Sequence, residues 1–239
     1  MIASLPMYDR PSNAGAHDRL WSLIRDNLRD DGITAPRPLD RHVMYYDTWA
    51  RPDLVIGQIC VMPYRTTYAN DVTLIGASDY GLDDCKAGFY RSHIVCRADD
   101  DRDLAALSTA RFAANAKHSY SGYEAAIHTF AAMDLTLSDP LITGTHDASI
   151  MAIANGTADF ASIDAQTWAM QQREMPEVAN LRIVTHTPSA PGQSFITRQS
   201  DDPAPYFAAI KTAIADLSDT DKATLGLRGI VALPDSAYT

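Results

Sequence analysis

One stretch of the chain places two serines and a glycine at a predicted turn between a strand and a helix. It reads Asn115-Ala116-Lys117-His118-Ser119-Tyr120-Ser121-Gly122-Tyr123. The first N–H groups of a helix lack intrahelical partners and lie at the positive end of its dipole. Together with the serine hydroxyls they can bind a phosphate, phosphonate, sulfonate or carboxylate without a nearby cation. A plain N-cap is the alternative interpretation, because serine is also a favoured cap residue.

Two further turns carry polar side chains that we expect at the same edge of a sheet. His146 and Ser149 lie between a predicted strand and a predicted helix, where they would face Ser119 and Ser121. Asp164 follows a buried strand, and the carboxyl ends of strands line the ligand crevices of open α/β sheets. The alternatives are a structural or surface role for His146 and an N-cap role for Asp164.

Three polar residues of the N-terminal part are candidates for an opposing wall of the same site. Tyr8, Gln58 and Tyr64 lie at or just after predicted strands. Aromatic and amide side chains there could contact a ligand, and the alternative is that they are merely packed or solvated. The predicted ligand-binding set is therefore Tyr8, Gln58, Tyr64, Ser119, Tyr120, Ser121, Gly122, His146, Ser149 and Asp164.

Motifs of the common enzyme classes are absent from the sequence. It contains no GxSxG elbow, P-loop, GxGxxG fingerprint or HExxH helix. Ser121, His146 and Asp164, or Cys60 with His146, could be imagined as nucleophilic sets, but no spacing rule favours either. We predict no catalytic residue, no metal ligand and no cofactor.

The composition indicates a globular protein and argues against two classes of partner. Of 239 residues 46% are hydrophobic, and the formal net charge is −10 with no basic cluster, which disfavours a nucleic-acid partner. No segment approaches the roughly 18 apolar residues of a membrane helix, so no membrane insertion is predicted. The N-terminus lacks the pattern of a secretory signal. The sequence as it stands predicts a cytoplasmic protein, or a periplasmic one if a leader precedes Met1 in the natural gene.

The three cysteines predict neither a disulfide framework nor a zinc site. Cys60, Cys85 and Cys96 include no CxxC pair, and at least one must be unpaired. We expect them to be structural or bystander residues.

Alternation between periods of two and about 3.6 in the apolar residues predicts an α/β protein. The predicted strands are 2–7, 43–46, 54–59, 72–77, 93–96, 111–115, 160–163, 181–187 and 195–197. The predicted helices are 14–31, 121–133, 149–155, 165–172, 204–217 and 219–225.

The order of these elements predicts two lobes, each a mostly parallel sheet flanked by helices. The first comprises residues 1–90 plus 193–239, the second residues 91–192, with hinge crossings near 90 and 190. The C-terminal helices are expected to pack on the first lobe. A cleft between the carboxyl ends of the two sheets would follow from this topology.

Several motifs occur in the order in which one known family has them: Phe89-Tyr90-Arg91-Ser92, Arg111-Phe112-Ala113, Ser119-Tyr120-Ser121-Gly122, His146-Asp147-Ala148-Ser149, and Gly156-Thr157-Ala158-Asp159 continuing to Asp164. In these the chain resembles the phosphonate and sulfonate branch of the type II periplasmic binding proteins, the solute receptors of ABC transporters. The resemblance is best over residues 50–200.

The resemblance implies a Venus-flytrap fold with an anion bound in the cleft between the lobes. Ser119, Ser121 and Gly122 would match the family's anion-binding helix start, and His146 with Ser149 its second helix start. Asp164 would match a residue that contacts a cationic or hydroxyl part of the ligand. Tyr8 and Tyr64 would match wall positions of the first lobe. Tyr120 departs from the pattern, because the family has a small hydroxyl residue there.

We therefore expect a solute-binding protein that closes on a small anionic ligand and performs no chemistry on it, with an ABC transporter permease as partner. One alternative is a cytosolic enzyme on the same fold, of the kind found in menaquinone- or thiamine-precursor biosynthesis. A regulatory sensor domain is a third hypothesis, since one fold hosts several functions.

Overall fold

The structure, a computed structural model, describes residues 1–238 and divides the chain into two compact units. Unit 1 consists of Met1–Phe89 together with the chain from Pro191 onward, and unit 2 is Tyr90–Ala190. The chain thus leaves unit 1 after Phe89 and returns after Ala190, where the sequence analysis expects crossings near residues 90 and 190. Unit 2 is one continuous insertion into unit 1.

Residues 1–238 contain strands and helices interspersed along the chain. The strands are β1 (Ile2–Ala3), β2 (Leu54–Ile59), β3 (Val72–Asp79), β4 (Phe89–Tyr90), β5 (Ser92–Arg97), β6 (Phe112–Ala114), β7 (Leu141–Ile142), β8 (Phe160–Asp164), β9 (Leu181–His186), β10 (Ala190–Pro191), β11 (Ser194–Arg198) and β12 (Gly229–Val231). The α-helices are α1 (Ala14–Asp30), α2 (Tyr45–Trp49), α3 (Val61–Pro63), α4 (Leu104–Leu107), α5 (Ala125–Ala131), α6 (His146–Ala154), α7 (Ala165–Glu174), α8 (Pro203–Asp216) and α9 (Asp219–Leu225).

The sheet of unit 1 has the strand order β1-β2-β11-β3-β12 and carries apolar clusters on both faces. On one face, Leu20, Ile24 and Leu28 of α1 form a core with Ile210 and Ile214 of α8. Burying each of these side chains contributes about 1.5–3 kcal/mol. The C-terminal helix α8 thus packs against α1 in unit 1.

The sheet of unit 2 has the order β7-β6-β8-β5-β9 and is covered by helices on both faces. Alternate residues of β5 point to opposite faces, so Val95 packs with Ile150 and Ile153 of α6 while Ile94 packs with Phe130 of α5. Both faces being buried explains why the strands read as continuous apolar runs. The two remaining strands, β4 and β10, form a small sheet of their own.

The α/β class is confirmed, but the sheets are more mixed than the expected mostly parallel arrangement. In unit 2, β6 is parallel to β7 and β8, whereas β5 is antiparallel to both of its neighbours. In unit 1 only β1 and β2 pair in parallel. Strand β12 is likewise antiparallel to β3. Two of these exceptions, β5 and β11, are the first long strands after each crossing. No helical crossover precedes them, and only such a crossover enforces a parallel direction.

The strand predicted at 43–46 is wrong, because this segment leads into helix α2. The aromatic residues of this segment favour a strand locally, but tertiary packing overrides that propensity here. Tyr45 and Trp49 stack at a centroid distance of 5.3 Å, one helical turn apart. The Trp49 indole donates to the Gln58 carbonyl at 2.7 Å, which ties this turn to β2. The first strand is also shorter than predicted and ends at Ala3, before Pro6.

The other predicted elements are present, with shifts of a few residues at their ends. Two shifts affect the candidate site. The helix predicted from 149 begins at His146, and the helix predicted from 121 begins with a π-helical turn, Tyr120–Glu124, before α5. None of the three cysteines, which all lie within the described residues, forms a disulfide, and Cys96 is buried in unit 2. No helix within residues 1–238 combines the length and apolarity needed to span a bilayer.

Two histidines face each other across the β5–β9 ladder of unit 2. His93 and His186 are register partners, and their Nδ1 atoms lie 2.8 Å apart. His93 is 8% exposed. Burial, followed by the neighbouring His186 and the positive Arg91, lowers the pKa of His93 to about 4. The folded state therefore favours a neutral ring at this position.

We predict that the protein loses stability as the pH falls from about 6.5 towards 4. In this window the unfolded chain protonates His93 and the folded chain does not, so the free energy of unfolding decreases by up to about 3 kcal/mol. Thermal unfolding of the wild type and of His93→Gln between pH 7 and pH 4 measures the effect. His93→Gln should show a shallower pH dependence, and His42→Gln, at an exposed position, should match the wild type. Equal slopes for wild type and His93→Gln would contradict the assignment.

Candidate functional site

Three helix starts meet at one edge of the unit 2 sheet. Strands β7, β6 and β8 are parallel neighbours, so their carboxyl ends lie at the same edge. The π-helical turn before α5 follows β6, α6 follows β7, and α7 follows β8. The positive ends of three helices therefore converge where the sequence analysis expects an anion.

Ser119, Ser121, Gly122 and His146 come together at this edge. Ser121 Oγ lies 3.0 Å from His146 Nε2 and 3.4 Å from Ser119 Oγ. Ser119 also caps the helix, since its Oγ accepts from the Gly122 N–H at 3.2 Å. The cap alternative is thus correct for Ser119. Because a capping hydroxyl still has a proton and a lone pair to use, the cap does not exclude an anion.

Hydrogen bonds from neighbouring strands and loops fix the two helix starts. The Ser162 hydroxyl, in the middle of β8, donates to the Ser121 carbonyl at 2.5 Å. Thr143 N–H donates to the Ala114 carbonyl at 2.9 Å, and Gly144 N–H donates to the Asn115 carbonyl at 3.0 Å. The loop that carries His146 is therefore bonded directly to the end of β6.

Asn115 and Gly122 pack so closely that a side chain at position 122 would displace the Asn115 amide. A Cβ there would overlap the Asn115 Oδ1, and it would lie 3.3 Å from His146 Cε1. The Asn115 Oδ1 is buried and has no hydrogen-bond partner in the structure. Glycine at 122 therefore lets the amide of Asn115 and the ring of His146 approach the same helix turn.

Ser149 and Asp164 are held by local hydrogen bonds. Ser149 is fully buried, and its Oγ lies 2.7 Å from Thr143 Oγ1 and 3.2 Å from the Thr145 carbonyl. Asp164 is 1% exposed, and its Oδ1 accepts from the Thr167 N–H at 2.8 Å as the N-cap of α7. Asp164 is therefore the N-cap of α7, and its part in ligand binding stays a prediction.

The Tyr120 ring packs against other rings of unit 2. Its centroid lies 6.3 Å from that of Tyr90 and 6.3 Å from that of His128. Tyr120 is 6% exposed. The residue that departs from the family pattern is thus part of an aromatic cluster beside the helix start.

The three remaining predicted residues belong to unit 1. Tyr8 has a φ of 67°, an unfavourable backbone conformation for a bulky residue, and its ring meets Tyr80 edge-on at 5.1 Å. Gln58 lies on β2, is 4% exposed, and its Oε1 has no hydrogen-bond partner. The Tyr64 ring meets Tyr238 at 5.4 Å, and burial raises the pKa of its hydroxyl. Their part in ligand binding remains a prediction.

The chemistry available at the unit 2 edge is hydrogen-bond donation without a metal. No group of three or more His, Cys, Asp or Glu within the described residues could hold a metal ion. Lys117, the cation nearest in sequence to the helix start, is exposed and pairs with Asp139 at 2.8 Å. A negative group at this edge can therefore be bound by hydroxyls, helix N–H groups and one imidazole.

Residues 64–238 match the family model described as "ABC transporter, phosphonate, periplasmic substrate-binding protein". This match covers most of the chain, including the whole of unit 2. The chain belongs to this family. Periplasmic substrate-binding proteins of phosphonate ABC transporters bind a solute and act with a transporter, which agrees with the function expected from the motifs. No curated relative matches the chain by sequence.

Solved structures confirm the fold, that of the type II periplasmic binding proteins. PhnD1 of Prochlorococcus marinus in complex with methylphosphonate is similar at a TM-score of 0.73 and 15% identity, over 99% of this chain and 93% of that one. A component of a phosphonate transporter of Pseudomonas aeruginosa aligns at a TM-score of 0.67 and 16% identity, over 99% and 82%. A Xanthomonas citri protein bound to ATP aligns at 0.65 and 18%, over 93% and 90%.

Sequence reasoning missed two residues that shape the candidate site. Asn115 begins the serine-rich stretch and Ser162 lies in a predicted strand, and the sequence analysis assigns a role to neither. A signal for Ser162 exists, because it is a lone hydroxyl in the otherwise apolar run Phe160–Ile163. A buried hydroxyl requires a partner, and the neighbouring helix start supplies one. Asn115 gives no comparable signal, since its close approach to Gly122 depends on the fold.

We predict that Gly122→Ala destabilises unit 2 by roughly 1–3 kcal/mol, because the added methyl group overlaps the Asn115 amide. Asn115→Gly should relieve this overlap, so the double variant should be more stable than the sum of the two single effects indicates. Urea denaturation of the wild type, both single variants and the double variant measures the coupling, expected at about 0.5–3 kcal/mol. Strictly additive effects would show that the two residues do not meet.

Proposed function

We propose that this substrate-binding protein binds a small tetrahedral oxyanion, with a phosphonate as the best candidate, at the helix starts of unit 2. The observation that carries the proposal is the contact of Ser121 Oγ with His146 Nε2, which brings two helix starts together through side chains that can both donate. Ser119 Oγ, 3.4 Å from Ser121 Oγ, supplies a further hydroxyl.

The ligand class follows from the number and kind of donors. A tetrahedral group with several oxygens can accept from two hydroxyls, an imidazole and helix N–H groups at once, whereas a halide or a single carbonyl uses few of them. A protein of net charge −10 repels anions at long range, so short directed hydrogen bonds must provide the affinity. Methylphosphonate, which is bound by a protein of the same fold, is the natural first ligand to test.

The structure supports a ligand contact more strongly for some of the remaining predicted residues than for others. These residues are Tyr8, Gln58 and Tyr64 of unit 1, and Ser149 and Asp164 of unit 2. The unpaired Oε1 of buried Gln58 favours a ligand contact, because an unsatisfied buried acceptor costs about 1–3 kcal/mol. Ser149 and Asp164 already have partners within their own loops. We therefore assign them to support of the helix starts rather than to direct binding.

We propose that the protein binds its ligand without converting it and delivers it to the permease of an ABC transporter in the periplasm. Membership of a family of transport proteins supports this assignment. The enzyme alternative predicts a product, so incubation of the protein with each ligand followed by ³¹P NMR separates the two. A new phosphorus resonance that depends on the protein would favour the enzyme.

We predict that Ser121→Ala weakens phosphonate binding at least tenfold. A ligand at 100 times its dissociation constant stabilises the wild type by about 2.7 kcal/mol, a shift of several degrees in Tm. A thermal-shift screen with methylphosphonate, phosphate, ethanesulfonate and acetate identifies the ligand, and calorimetry of Ser121→Ala and His146→Gln then measures each loss.

Ser108→Ala is the matched control for this measurement. Ser108 is a buried serine of unit 2 whose hydroxyl donates to the Ala105 carbonyl at 2.7 Å, away from the helix starts. It should lower Tm without changing ligand affinity. The proposal fails if no tetrahedral oxyanion shifts the Tm of the wild type, or if Ser121→Ala and Ser108→Ala bind equally well.

A further inference from the structure

The histidine pair of unit 2 has the geometry of a two-nitrogen chelate. His93 on β5 and His186 on β9 are cross-strand partners whose Nδ1 atoms lie 2.8 Å apart, with ring centroids at 4.8 Å. Both Nδ1 atoms therefore lie within reach of one metal ion placed beside the pair. Two nitrogens bound cis on one metal ion at about 2 Å lie about 2.8 Å apart at a right angle and about 3.3 Å apart in a tetrahedron.

The backbone on the same two strands holds the pair in place. Ser92 N–H donates to Thr187 Oγ1 at 2.9 Å, and Thr187 N–H donates to the Ser92 carbonyl at 2.9 Å, one residue from the two histidines. The Trp168 ring of α7 packs edge-on against His93 at 6.4 Å. His93 is 8% exposed, whereas His186 is exposed. A preformed pair with one open side can accept an ion from solvent without rearranging the strands.

The protonation state suits a metal ligand. Burial, His186 and Arg91 together lower the pKa of His93, so its ring is neutral at pH 7. Metal ions bind the neutral imidazole. The positive Arg91 opposes any cation here, which favours the ion with the strongest intrinsic affinity for nitrogen. In the Irving–Williams order that ion is Cu²⁺, which also prefers right-angled nitrogen ligands.

We propose that His93 and His186 form a transition-metal site that binds one Cu²⁺ through their two Nδ1 atoms, with water completing the coordination. The site is separate from the anion-binding helix starts and does not depend on the function proposed for them. A bound ion would link β5 to β9. His93 lies three residues after the first crossing, and His186 lies four residues before the second.

Metal binding moves one proton from one ring nitrogen to another and releases no proton to solvent. In the metal-free pair one ring carries its proton on Nδ1 and donates to the lone pair of the other. When the metal takes both lone pairs, that proton moves through solvent to Nε2 of the same ring. Affinity should therefore be constant near neutral pH and fall as acid protonates the rings.

Copper titration of the full chain tests the proposal. CuCl₂ should bind saturably at one ion per chain at pH 7, quench Trp168 fluorescence and produce an electron paramagnetic resonance spectrum with hyperfine coupling to two nitrogens. His186→Ala should weaken binding at least tenfold. Because His186 is exposed, this variant should keep the fold, which circular dichroism checks. Trp168→Phe should keep the resonance spectrum and lose the quenching.

Surface histidines and the anion site provide the controls. His42→Ala and His118→Ala remove exposed histidines of the two units and should leave the titration unchanged, as should Ser121→Ala. Copper binding that persists unaltered in His186→Ala, or the absence of saturable binding in the wild type, would falsify the metal site and leave the pair as a hydrogen bond only. Neither result would bear on phosphonate binding.

Discussion

The hydrogen bond from Ser162 to the carbonyl of Ser121 joins the middle of a buried strand to the first turn of the helix that carries the candidate site. A hydroxyl inside an apolar strand is costly unless it is paired, so this bond specifies where the helix start must lie. The position of Ser121 in turn sets the position of His146, whose own loop is bonded to the end of β6. Much of the site geometry in unit 2 follows from this single buried contact.

The resulting arrangement explains how an acidic protein can be suited to an anion. Three arginines of unit 2, Arg97, Arg102 and Arg111, pair with carboxylates, as in the network in which Asp159 accepts from Arg102 and Arg111. That network holds the pKa of Asp159 well below its usual range. These positive side chains therefore stabilise the fold by pairing with carboxylates, and the candidate site relies on oriented neutral donors. Such donors select by shape and hydrogen-bond number, whereas a point charge would accept any anion.

Elements whose structure depends on the local residue pattern were predictable from the sequence. Elements and contacts that depend on tertiary packing were not. Strand β2 and helix α9 were predicted to the residue, because strong periodicity and clear boundary residues coincide there. Helix α2 was missed because its aromatic residues suit a strand locally, and only packing on β2 makes them helical. The serine-rich helix start was predictable from residue types. The closeness of Asn115 to Gly122 was not, since it depends on the relative position of two backbone segments that no spacing rule specifies.

Because unit 1 consists of two segments separated by unit 2 in the sequence, its sheet is completed only late in synthesis on the ribosome. Strand β11 lies between β2 and β3, so the first sheet lacks its middle strand until residue 198 has emerged from the ribosome. Unit 2 is continuous and can fold as soon as residue 190 has emerged. The insertion therefore becomes structured while β2 and β3 still have unpaired edges. Nascent chains halted between these two points would carry a finished second unit and an aggregation-prone first one.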